Sequence, residues 1–191
     1  WQRQWWWIWA ALLLPVVFFL PALPIDETRY LAVAWEMHST GNYLVPHLNG
    51  ATYSHKPPLL FWLINLSWWI TGIHVWSARL VGVACSLLSL VLLERLVIRL
   101  GVSAQSALRA AWLLLGMVYF AAFSSAIMFD VLLTTCVLLA LHGVLDLDQS
   151  NYRRGMGVLA LGMGLGILAK GPVMLLDIGF IILLGPWWSA G

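Results

Sequence analysis

Six apolar runs follow one another along this 191-residue chain: residues 5–23, 75–97, 108–127, 131–145, 155–169 and 172–188. A hydrocarbon core about 30 Å thick is crossed by about 20 helical residues, so runs of this length and number read as successive membrane spans. Only 9% of the residues are charged and 62% are hydrophobic, against about 25% charged in a soluble domain. A water-soluble globule is excluded. The expected fold class is all-α, a polytopic membrane helix bundle. Thirteen tryptophans suit the membrane–water interface. A net charge of +2 without a basic run excludes a nucleic-acid partner.

Smaller features agree with that frame. Pro15 inside the first run is tolerated when neighbouring helices satisfy the freed carbonyl. The run is too long for a cleaved signal peptide and no A-x-A site follows it. Cys85 and Cys136 lie in apolar runs without a CxxC spacing and read as packing residues. Gly162 and Gly166 have the spacing of close helix packing. The chain starts at Trp1 and stops at Gly191 just after an apolar stretch, and it reads as a single transmembrane domain belonging to a longer protein.

Residues 24–72 are of another kind, with Asp26, Glu27, Arg29, Glu36 and Lys56 among the turn signals Gly41-Asn42, Pro46 and Asn49-Gly50. From Thr28 to His38 the period is helical, with Tyr30, Ala34 and Met37 on one face. Pro58 to Ile70 forms a second short helix opened by proline, and its aromatic set (Phe61, Trp62, Trp68, Trp69) suits a helix lying in the interface. The region is therefore expected to be one external loop carrying two juxtamembrane helices. If the chain starts inside, Arg3, Arg95, Arg99, Arg109, Arg153 and Arg154 fall on the inner side, and Arg29, Lys56, Arg79 and Lys170 on the outer. The positive-inside rule then puts the loop outside.

Four charged positions gather at the outer level. Asp26-Glu27 follows the first span; such a pair caps a helix, or serves as a base or anchor at the lip of a cavity. Arg29, one turn on, pairs with Asp26 or faces a phosphate. In His55-Lys56-Pro57-Pro58 the proline keeps Lys56 extended, beside a helix start suited to phosphate; a snorkelling lysine is the plain alternative. Tyr53 offers a ring and a hydroxyl to a sugar. Asp130 opens the fourth span and can face Asp26, while Lys170 closes the fifth, with Asp177 as its expected partner because ionisable groups at membrane depth are usually paired. His38, His47 and His55 fit no fixed metal spacing.

The stretch Asp26-Glu27-Thr28-Arg29-Tyr30, then Val45-Pro46-His47-Leu48-Asn49-Gly50, then Lys56-Pro57-Pro58, resembles the first external loop of bacterial polyprenyl-phosphate-sugar-dependent glycosyltransferases. These have the GT-C fold and include lipid A aminoarabinose transferases and protein O-mannosyltransferase-like proteins. The resemblance implies a transmembrane catalytic domain in the bacterial inner membrane, with its active site on the periplasmic side. It further implies an undecaprenyl- or polyprenyl-phosphate sugar donor and a lipid, glycan or protein acceptor. Asp26 matches the family's key carboxylate, Lys56 the lysine that meets the lipid phosphate, and Asp130 a second acid in the same cavity. Glu27, Arg29, Tyr53 and Lys170 join them as substrate contacts. One departure stands: aminoarabinose transferases carry Glu before that lysine, and here it is His55, a candidate ligand for a divalent metal.

With these groups in place, Lys56 would stabilise the phosphate leaving group, Asp26 would take a proton from a hydroxyl acceptor, and direct displacement would invert the anomeric centre. A secondary transporter or flippase using Asp130, Lys170 and Asp177 is the alternative class. It calls for broken helices at mid-membrane, whereas these charges sit at span ends. A non-catalytic membrane component is the third.

Overall fold

The computed structural model describes residues 5–188; Arg3, expected among the inner-end arginines, lies outside them. The described chain is almost wholly helical. Its helices are α1 (Trp5–Phe19), α2 (Asp26–Thr40), α3 (Leu59–Thr71), α4 (Val75–Arg99), α5 (Ala104–Gly116), α6 (Val118–Ser124), α7 (Phe129–Asp148), α8 (Tyr152–Lys170), α9 (Val173–Leu183) and α10 (Gly185–Trp188). A two-stranded antiparallel hairpin, β1 (His47–Leu48) and β2 (Ala51–Thr52), lies between α2 and α3. The hairpin was not expected, although its signal was visible. Asn49 and Gly50 both take positive φ, 55° and 76°, as a two-residue Asn-Gly hairpin turn requires.

The two helices expected between residues 24 and 72 are present; α2 is longer than predicted at both ends, and α3 has the predicted length shifted by one residue. Tyr30, Ala34 and Met37 are buried together, as their spacing required. On α3 the aromatic set divides: Phe61 and Trp68 are buried while Trp69 is exposed. The helix therefore packs one face into the core rather than floating its whole aromatic side in the interface. Asn65 locks the pair, donating to the Ala34 and Phe61 carbonyls at 3.2 and 2.9 Å, with its Oδ1 3.0 Å from His38 Nδ1.

By length and composition α4 and α7 are each able to cross a bilayer. The stretch expected as the span 108–127 is instead α5 and α6, bent by 72° at their junction. Residues 146–154, read as a polar hinge, mostly continue the helices; α7 runs to Asp148 and α8 resumes at Tyr152. Polar pairs cross the apolar interior, with Trp9 Nε1 donating to Ser86 Oγ at 2.9 Å and Ser89 sharing a 2.8 Å bond with Thr135. The glycines of α8 are packing positions toward two different neighbours. A Cβ at Gly162 would stand 2.6 Å from the Ala140 amide nitrogen, and one at Gly166 would stand 2.4 Å from Met174 Sδ.

Candidate active site

The site begins with a strained turn. Ile25 has φ 76° and ψ −71°, and the Asp26 amide donates to the Pro24 carbonyl at 3.2 Å. That is a γ-turn of the rare hand on a β-branched residue, and such conformations cost of the order of 1–3 kcal/mol each unless surroundings over-determine them. Here they do. Glu27, fully buried, accepts from Arg79 Nε and Nη2 at 2.7 Å each, from the Leu23 amide at 2.7 Å and from the Ile127 amide at 3.3 Å.

Arg79 uses its remaining hydrogens on the end of α1. It donates to the carbonyls of Val17 at 3.2 Å, Leu20 at 2.6 Å and Pro21 at 2.9 Å, groups that the end of a helix leaves without intrahelical partners. One buried ion pair therefore joins the end of α1, the start of α2, the body of α4 and the segment entering α7. Asp26 is the residue before Glu27, and Asp130 lies three residues after Ile127, so both carboxylates are borne by backbone that this pair fixes. Arg79 was expected as an outer-end charge; it is 1% exposed. The signal for its role was an arginine inside an apolar run, which needs a partner.

Around the turn, Phe129 is the hub. The Tyr30 ring meets it edge-on with centroids 5.0 Å apart, the Phe61 ring at 5.6 Å, and Lys56 Nζ lies 5.6 Å from its centroid, within cation–π range. Asp26 pairs with Arg29, whose guanidinium lies 5.5 Å over the Tyr30 ring. Asp130, next to Phe129 in sequence, accepts from Lys170 Nζ at 2.6 Å. The expected Lys170–Asp177 pair is absent, because Asp130 brings its carboxylate to the end of α8.

Asp26 and Asp130 are both about half exposed, at 46% and 49%. Neither is a helix cap; the cap positions fall to Ile25 and Met128. Both carboxylates are instead held by ion pairs, to Arg29 and Lys170. Tyr53 is buried, its ring against Phe61 at 6.2 Å, so that ring is not open to a sugar as expected. Its hydroxyl, like Arg29 Nε, is buried without a partner among the described residues, which in a native site marks a group awaiting one. Burial pushes the Tyr53 phenol above its ordinary range, with Arg29 opposing and Asp26 adding to the shift. Burial likewise raises Tyr30, assisted by Asp26 and opposed by Arg29. Both hydroxyls are neutral donors near neutral pH.

Glu27, expected as a substrate contact, is enclosed instead and acts through position. His55 lies against Tyr53, ring centroids 5.4 Å apart, while His47 Nδ1 faces the Val45 carbonyl at 2.8 Å. Among the described residues no three His, Cys, Asp or Glu side chains gather as a metal-holding group. A hollow of about 500 Å³ adjoins the site, made by the α5–α6 break; Met117, Phe120 and Phe123 line it, with Asp130 and Thr134 on the α7 side.

A family model described as dolichyl-phosphate-mannose-protein mannosyltransferase matches residues 55–189. An undecaprenyl phosphate-alpha-4-amino-4-deoxy-L-arabinose arabinosyl transferase of Pectobacterium carotovorum is 30% identical over 150 residues, 76% of this chain and 27% of its own length. The protein of the same name from Edwardsiella ictaluri is 29% identical over 182 residues, 90% of this chain and 33% of its own. The chain thus spans about a quarter to a third of the curated relatives it matches. The crystal structure of ArnT from Cupriavidus metallidurans bound to undecaprenyl phosphate superposes with a TM-score of 0.79, at 24% identity, over 97% of this chain and 37% of that one. Its apo form gives a TM-score of 0.81 at 23% identity, over 96% of this chain and 37% of that one. The expected all-α, GT-C-like bundle is the fold observed. Apolar helices and these relatives together make it a multi-pass membrane protein.

Proposed function

The chain belongs to the dolichyl-phosphate-mannose-protein mannosyltransferase family, and on that premise we propose that it works as a membrane glycosyltransferase. It moves a sugar from a polyprenyl-phosphate donor to an acceptor by direct displacement, inverting the anomeric centre. The observation that carries this reading is the convergence of Asp26, Arg29 and Lys56 on the Tyr30–Phe129 aromatic pair, with Asp130 next to Phe129 in sequence. Asp130 in turn stands at the edge of an apolar hollow.

A polyprenyl-phosphate sugar needs such a place, because its tail stays in hydrocarbon while its sugar meets water. Lys56 and Arg29 hold the phosphate, and the Tyr53 hydroxyl donates to it as a third group. Negative charge grows on that phosphate as the glycosidic bond breaks, and preorganised cations stabilise it. Asp26 takes the proton of a hydroxyl acceptor, or orients a phosphate acceptor that has none to lose. Lys170 holds the Asp130 carboxylate at the edge of the cavity. The prenyl tail runs into the hollow at the α5–α6 break. That break is the feature shared with transporter folds, but an apolar lining with one carboxylate at its edge suits a lipid chain better than an ion.

The site faces the periplasm of a bacterial inner membrane in this reading, supported by the arginines at the opposite ends of α4 and α8. Among the described residues His55 has no two His, Cys, Asp or Glu companions placed to hold a metal ion with it. The donor to try first is the one in the relatives' name, undecaprenyl phosphate-4-amino-4-deoxy-L-arabinose, with a lipid A acceptor. Asp26→Asn in the full-length protein, at normal membrane expression, is expected to abolish transfer. Turnover within tenfold of wild type would overturn the assignment.

A further inference from the structure

A second polar cavity lies at the other end of the bundle from Asp26 and Asp130. It has a volume of about 580 Å³ and opens between the last turns of α4 and α7 and the first turn of α8. Helices of this length rise about 30–37 Å, so the two sites are separated by roughly the thickness of the hydrocarbon core. No residue of the site described above lines it.

Three guanidinium groups, those of Arg95, Arg99 and Arg154, face this cavity together with one carboxylate, Asp146. That carboxylate is buried and faces two of the arginines, although its Oδ2 has no hydrogen-bond partner among the described residues. Arg99 Nη2 donates to its Oδ1 at 2.5 Å, and Arg154 Nε stands 3.3 Å from its Oδ2. His142 brings no negative charge and no extra proton. Its Nε2 lies 3.0 Å from the Leu92 carbonyl and must donate there, while its Nδ1 lies 3.2 Å from Arg99 Nη1 and must accept. Two positive charges remain uncompensated among the lining groups. The wall they face is apolar, with Ile98, Leu139 and Val158.

An excess of arginine at one membrane face is what topology alone requires, and Arg109 and Arg153 meet that requirement outside the cavity. Topology does not require three arginines to converge on one hollow beside an apolar wall. Guanidinium forks match phosphate oxygens in pairs, and basic pockets between spans hold lipid headgroups. We infer that this cavity binds the phosphate of an anionic membrane lipid, with the glycerol and upper acyl chain along Ile98, Leu139 and Val158. The site stands on its own residues and does not depend on the glycosyltransferase reading.

Native mass spectrometry of the purified full chain, titrated with phosphatidylglycerol, phosphatidylcholine or inorganic phosphate, tests it. Wild type is expected to retain phosphatidylglycerol in preference to phosphatidylcholine. An arginine near a membrane surface contributes about fivefold to anionic-lipid affinity, so Arg95→Gln with Arg154→Gln should weaken phosphatidylglycerol binding roughly 25-fold. Arg109→Gln with Arg153→Gln removes the same charge elsewhere and should weaken it far less. Equal losses in the two pairs would mean diffuse surface attraction and overturn the site. Inorganic phosphate bound as tightly as the lipid would also overturn it. Should the first pair fail to fold, Arg154→Gln alone decides, since that side chain is 69% exposed: about a fivefold loss supports the site and no change refutes it.

Discussion

The buried Glu27–Arg79 pair invites the most direct energetic test. Glu27→Ala removes a carboxylate that takes two bonds from Arg79 at 2.7 Å and two from the Leu23 and Ile127 amides. It leaves the guanidinium, 1% exposed, with carbonyl acceptors but no countercharge. Removing one partner of a buried pair costs about 3–5 kcal/mol. At roughly 2–4 °C per kcal/mol for a chain of this size, the thermal midpoint should fall by about 6–20 °C. Arg79→Met should cost a similar amount by stranding Glu27. The double variant Glu27→Leu with Arg79→Met strands no charge, only backbone groups, and should recover part of the loss, because apolar replacement of a whole buried pair is often neutral. Tryptophan fluorescence melts in detergent for the three proteins give the coupling energy. Transfer activity should fall in all three, including the more stable double variant, since the Ile25 turn and Asp26 lose their fixed backbone. Additive effects, or full activity in the double variant, would refute the view that this pair positions the site.

Other outcomes follow from single side chains. Tyr53→Phe removes a buried hydroxyl that has no partner among the described residues, so it should leave the midpoint unchanged or raise it while weakening undecaprenyl phosphate binding several-fold in a titration. The same residue gives a pH dependence. Its phenol is raised in the folded state, so its stability contribution is complete below the ordinary phenol range, about pH 10, and is lost as pH rises through the folded value. Melts above that pH should therefore fall more steeply for wild type than for Tyr53→Phe. Gly162→Ala presses a methyl group onto Ala140 backbone, whereas Gly166→Ala meets the movable Met174 side chain. Overpacking costs about 1–3 kcal/mol, so the first variant should melt clearly lower and the second should stay nearer wild type.

The membrane class and the two helices between residues 24 and 72 were legible because apolar run length and helical period carry them. The partners were not. Lys170 reaches Asp130 rather than Asp177, since two helix ends far apart in sequence meet in space, and spacing along one chain says nothing about that. Glu27 looked like a second surface acid beside Asp26, yet it belongs to Arg79, 52 positions away. The span around residue 117 broke in two without proline to announce it. Phe129, the hub of the site, is an aromatic residue in an apolar stretch, and only its tertiary neighbours distinguish it from any other.

In the proposed reaction labour divides at one lip of the membrane: Lys56 grips the lipid phosphate and Asp26 serves the chemistry. Equilibrium binding of undecaprenyl phosphate to the full-length protein, set beside initial transfer rates for Lys56→Ala and Asp26→Asn, tests it most directly. Loss of a charge-assisted hydrogen bond, about 1.5–3 kcal/mol, predicts binding weakened roughly 10- to 150-fold by Lys56→Ala. Asp26→Asn should leave binding within about threefold of wild type, less than 1 kcal/mol, and abolish turnover. Unchanged phosphate binding without Lys56, or continued turnover without the Asp26 carboxylate, would contradict it.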